Sequence, residues 1–144
     1  MQETAADVAR LQACVEAAHS DAAKSECIGT VVRSCESASS QEPVSIQTYF
    51  CRSREAGAWD RLLNNNFKRQ LEMIQGYDDD PALKARQVET LRVAQRLWVQ
   101  FRDAEMDRME ANSQGAASTW VLANVEFVRM DMTARRAIEL DWSS

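Results

Sequence analysis

The sequence predicts an all-α fold, a single-domain helical bundle with a disulfide-stapled helical hairpin at its N-terminus, and three observations support that prediction. Apolar residues recur three and four positions apart through most of the chain, which is the repeat of one helix face. Only four Gly and two Pro occur in 144 residues, too few to punctuate a turn-rich β architecture. All four cysteines, Cys14, Cys27, Cys35 and Cys51, lie in the first 51 residues, so any covalent cross-links gather at one end of the chain. The length suits one domain over residues 1–144, with 1–45 as the disulfide-linked hairpin and loop and 46–144 as the helical core.

The elements follow in order. From Thr4 to Ala18 the residues Val8, Leu11, Cys14, Val15 and Ala18 line one helix face. After the polar link HSDAAKSE, the run CIGTVVRSCE makes a second short helix with Ile28, Val31, Val32 and Cys35 inward, tolerating Gly29. SASSQEPVS is a loop that Cys51 ties back. A long helix runs from Ile46 to about Gly76 through Tyr49, Phe50, Trp59, Leu62, Leu63, Phe67, Leu71 and Ile74, with Gly57 as a point of possible interruption. In YDDDP, Asp80 caps and Pro81 opens a helix that reaches about Ala111. NSQGAAST ends it, and Ser118 or Thr119 caps a last helix through Trp120, Leu122, Val125, Val128, Met132 and Leu140.

Cysteine spacings of 13, 8 and 16, with His19 as the only imidazole, do not make the paired knuckles of a zinc site, and disulfides are the better reading. Cys27 and Cys35 on one helix would stand on the order of 12 Å apart, beyond disulfide reach. In an antiparallel hairpin Cys14 lies a turn before the link and Cys27 a turn after it, so Cys14 pairs with Cys27 and Cys35 with Cys51. Disulfides persist in oxidising compartments, so a periplasmic or secreted protein is expected, with its leader preceding this numbering. A net charge of −5 disfavours nucleic acid, whose phosphates require a basic surface, and favours a cationic partner. No apolar run approaches the roughly 18 residues of a membrane span.

Little in the chain points to catalysis. His19 sits in a polar link without a carboxylate partner or nucleophile elbow. A glycosidase pair could be assembled from Asp60, Asp103 or Glu105, but surface acids are plentiful and the sequence places no two of them across a cleft. There is no Gly-rich phosphate loop and no Glu-x-x-His pair, so no cofactor or metal is expected. The dense stretch LRVAQRLWVQFRDAEM, residues 91–106, reads instead as framework. Leu91, Ala94, Trp98, Phe101 and Glu105 share a stripe taken as core, Gln95 and Arg102 lie beside it, and Arg92, Arg96 and Asp103 point elsewhere. Asp60 and Asn64, four apart on the preceding helix, supply acceptors for Arg102 or Arg96. Asp60, Asn64, Gln95, Arg96 and Arg102 are therefore expected to form a structural polar network between helices.

WDRLLN at 59–64, LRVAQRLWVQFRDAE at 91–105 and MTARRAIEL at 132–140 resemble the bacterial LprI-like lysozyme-inhibitor family. CIGTVVRSC with the downstream Cys51 is similar to the cysteine-bearing front end of its proteobacterial members. The resemblance covers roughly residues 27–142 and makes 46–144 an LprI-like helical core. It implies an exported, all-helical protein. Members often carry a cysteine directly after RDA-x and another shortly before the late threonine, where this chain has Met106 and, near the second place, Val128. The joint absence is what a lost disulfide would leave.

Two functions compete: a non-enzymatic inhibitor that occupies the cleft of a basic lysozyme, and an envelope assembly module that binds another bacterial protein or peptide between helices. For the first, the projecting acidic turn Tyr77, Asp78, Asp79 and Asp80 is the candidate partner-binding site. The compartment has a direct check. Thiol titration of denatured, unreduced protein is expected to find no free thiol, and four would overturn the exported assignment.

Overall fold

A computed structural model describes residues 4–38, 43–77, 80–113 and 118–141, and these form six helices with no strand among them. They are α1 (Thr4–Ala17), α2 (Asp21–Ser25), α3 (Thr30–Ala38), α4 (Val44–Gly76), α5 (Pro81–Asn112) and α6 (Thr119–Glu139). The link after α1 is itself helical: Ser20 accepts from the Ala23 N–H at 3.1 Å and so starts α2. Gly57 does not interrupt α4, which runs unbroken for 33 residues. Gly29 is not inside α3 but just ahead of it, at φ 103°, a conformation that glycine tolerates and L side chains rarely adopt.

Two disulfides tie the front of the chain together. Cys14–Cys27 joins α1 to the segment before α3, and Cys35–Cys51 joins α3 to α4, with Cα separations of 6.0 and 5.6 Å. Each closes a short loop, which stabilises chiefly by restricting the unfolded chain.

α4 is the spine. Its Trp59, Leu62 and Leu63 are buried against Val8, Leu11 and Val15 of α1, Val31 of α3 and Met130, Ala134 and Ala137 of α6. α4 and α6 run parallel and close together, because the buried contact positions Ala56, Ala123, Ala134 and Ala137 are small. Their closeness lets α4 side chains serve the end of α6. Asn66 Nδ2 donates to the Ala137 carbonyl and Gln70 Nε2 to the Leu140 carbonyl, both at 2.9 Å, satisfying acceptors that a helix terminus leaves without intrahelical partners.

The front elements dock on α4 through charge as well as oil. Glu55 is wholly buried, and its carboxylate accepts from the backbone N–H groups of Gly29 (2.7 Å) and Val32 (2.8 Å) and from Trp59 Nε1 (2.8 Å). The two backbone donors belong to the opening turn of α3, so a residue of α4 performs the capping that α3 lacks locally. Arg54 makes a two-pronged bond with the buried Asp7 of α1, at 2.7 and 2.9 Å. Lys24 of α2 meets Asp141, just past α6, at 3.5 Å, with both side chains almost buried.

α5 differs from the expectation of a core stripe. None of its residues is buried. Its inward direction runs through Leu91, Gln95, Trp98 and Arg102, all half-buried, so Ala94 and Phe101, displaced by roughly a quarter turn, come to the surface. Phe101 is 59% exposed. Trp120 and Leu122 of α6, expected to close the bundle, are likewise about half exposed, because α6 buries the face that carries Ala123, Met130 and Ala137 instead.

Removing the Glu55 carboxylate leaves the buried Trp59 donor and two part-buried backbone donors, Gly29 and Val32, without their acceptor. Glu55→Ala is expected to cost about 3 kcal/mol or more in urea unfolding, since each buried unsatisfied group costs roughly 1–3 kcal/mol. Glu72→Ala, exposed on the same helix, should stay within about 0.5 kcal/mol; equal effects would deny Glu55 this role.

Candidate partner-binding surface

The seam of α5 with α4 and α6 is where the expected polar network falls. Arg102 is its centre: Nη1 reaches Asp60 of α4 at 3.3 Å, Nε reaches the neighbouring Asp103 at 3.1 Å, and the guanidinium stacks over the Trp98 ring at 5.1 Å. Gln95 is engaged from the other side, accepting from Arg136 Nε of α6 at 3.0 Å. Asn64 and Arg96 do not enter this network; both are exposed. The reason is rotation. Four residues carry a helix about 40° beyond a full turn, which moves Asn64 off the seam that Asp60 faces, and Arg96 stands about a third of a turn from Arg102.

The acids considered for catalysis are engaged as ion-pair partners. Asp60 and Asp103 share one guanidinium. The hydrogen bonds from Arg108 hold the Glu105 carboxyl below the usual carboxylate range, whereas a glycosidase proton donor needs its value raised. His19 is exposed between α1 and α2. Among the described residues no group of histidine, cysteine and carboxylate side chains gathers as metal ligands would.

The candidate turn joins the two longest helices. Tyr77, just past α4, is 51% exposed. Asp80 is exposed, and its carboxylate accepts from the Leu83 N–H at 3.3 Å, capping α5. Asp78 and Asp79 lie outside the described residues. Beside Tyr77, the residues Gln70, Met73 and Ile74 line a shallow hollow of about 50 Å³. Because α4 and α6 are parallel, Tyr77 at the end of α4 lies at the same end of the molecule as Glu139 and Asp141.

Sequence reasoning missed the most tightly held charges. Glu55, Asp7 and Arg54 have no place in the sequence reading. A signal existed: Asp7 and Leu11 share a face, as do Glu55 and Trp59, so both acids sit on stripes that the apolar pattern marks as inward. Arg52 was also missed. It donates to the Ala123 carbonyl at 2.9 Å and lies over the exposed Phe127 ring at 5.2 Å.

The family model described as "Lysozyme inhibitor LprI" matches residues 35–140, from within α3 to the end of α6. Comparison with curated proteins and with solved structures gives no match.

Two ion pairs with different burial should have different worth. In double-mutant cycles the Arg54–Asp7 coupling is expected to exceed the Arg102–Asp60 coupling, because Asp7 is 2% exposed and Asp60 is 44% exposed. The less buried pair should contribute about 1 kcal/mol or less, and Arg54→Ala should cost about 3 kcal/mol by stranding the buried carboxylate. The reverse order would contradict this account.

Proposed function

The chain belongs to the LprI lysozyme-inhibitor family, and from that premise we propose that it is an exported, non-enzymatic binding protein that blocks lysozyme-type cell-wall glycosidases by occupying their cleft. The family match over most of the chain carries the reading. Two disulfides fit an oxidising compartment, periplasmic or extracellular. No described helix is long and apolar enough to cross a membrane. A net charge of −5 favours encounter with a basic enzyme.

The contact assigned to this role is the turn Tyr77–Asp80. It offers the exposed Tyr77 ring, which supplies large rigid contact area, and the exposed Asp80 carboxylate, which complements a cationic cleft rim. The hollow formed by Gln70, Met73 and Ile74 gives that ring an apolar border.

Titration of the protein against a basic lysozyme in a turbidity assay at low salt is expected to give inhibition at micromolar concentration or below. Tyr77→Ala combined with Asp80→Asn should raise the concentration required about tenfold or more, while leaving thermal stability nearly unchanged, since Asn caps a helix as well as Asp. Unchanged lysozyme activity would defeat the inhibitor reading. Undiminished inhibition by the double variant would move the contact away from the turn. Release of fragments from peptidoglycan by the protein alone would overturn its non-enzymatic character.

A further inference from the structure

α5 is attached to the molecule in a different way from α6. α4 grips α6 along its length: Arg52, Asn66 and Gln70 donate to the Ala123, Ala137 and Leu140 carbonyls, and Met130, Ala134 and Ala137 of α6 are buried in the core around Trp59. α5 has no buried residue and gives that core the half-buried Leu91 and Trp98. It is bonded to the body side chain to side chain, Arg102 to Asp60 and Arg136 to Gln95. A further, exposed bond from Lys84 Nζ to the Gln75 carbonyl lies beside the turn where α5 begins. Segments with few buried apolar contacts open locally at less cost than the whole domain unfolds.

α5 is also suited to stand as a helix without neighbours. Over 32 residues it contains no glycine, its one proline is at the start, and the Asp80 carboxylate caps it. That length exceeds the roughly 12–15 residues below which isolated helices are marginal. Beneath it runs a second apolar stripe of α6: Val121, Val125, Val128 and Met132, at intervals of four, three and four. Val125 and Arg136, eleven residues apart, differ in direction by only about 20°, so this stripe lies on the side from which Arg136 reaches α5. Val125 is 5% exposed although it is no part of the core around Trp59, and α5 is the element on its side.

We propose that α5 is a strap that lifts off the body as one intact helix, uncovering the Val121–Met132 stripe of α6 while the other helices stay folded. Thiol trapping in the disulfide-intact chain tests this. All four native cysteines are in disulfides, so a substituted cysteine is the single free thiol. Val125→Cys reports departure of α5, and Met130→Cys, on the core face of the same helix, reports opening of the body. Iodoacetamide is expected to label Val125→Cys at least tenfold faster than Met130→Cys, yet well below the rate of the unfolded chain. Adding Trp98→Ala should speed Val125→Cys labelling about tenfold more and change Met130→Cys labelling less than about threefold, with the helical circular dichroism unchanged. Leu91→Ala should act in the same way, although it lies roughly 20 Å along α5 from the level of Val125, because an intact helix moves as a unit. Equal labelling of the two cysteines overturns the proposal, as does equal acceleration of both by Trp98→Ala. Acceleration by Trp98→Ala but none by Leu91→Ala would reduce the motion to fraying of one end and overturn the strap. Labelling of Val125→Cys at the unfolded rate would show that α5 does not cover it at all.

Discussion

Burial of the Glu55 carboxylate at the opening turn of α3 is the constraint on which the rest of the architecture depends. A carboxylate taken wholly out of water is costly, and the cost is offset only where donors surround it. Here the donors come from two backbone amides before and within α3 and from the indole of Trp59, the largest side chain of the core. One group therefore fixes three things together: where α3 starts, how it sits on α4, and which way Trp59 faces. Gly29 belongs to the same arrangement. Its positive φ turns the chain into α3 with its N–H aimed at Glu55, and the Cys35–Cys51 disulfide closes the other end of that contact. Charge and covalent bond clamp the same pair of helices at two points.

The parallel relation of α4 and α6 has its own consequence. Two neighbouring parallel helices need a return connection as long as they are, and α5, with 32 residues against the 33 of α4, provides it. Since α1 and α3 cover one side of α4 and α6 covers another, little apolar surface remains for the returning helix to bury. α5 is accordingly held by Leu91 and Trp98 on the edge of the core and by long polar side chains, Arg102 to Asp60 and Arg136 to Gln95. Such a helix is fixed in direction yet leaves its outer face unspent.

Much of this was legible in the chain. Helix periodicity, the Asp80–Pro81 start of α5, the Ser118 cap of α6 and the crowding of cysteines all act within a few residues, so local rules reach them. Periodicity does not say whether a face is covered. Leu97, Phe101, Trp120 and Leu122 repeat like core residues and are exposed, because covering depends on how many helices meet at a seam, a tertiary fact. The same limit hid Glu55: an acid on an apolar stripe shows its purpose only once the distant turn that it caps is known. Asn64 and Arg96 illustrate the opposite failure, in which correct residue chemistry was assigned to positions that helix rotation carries off the seam.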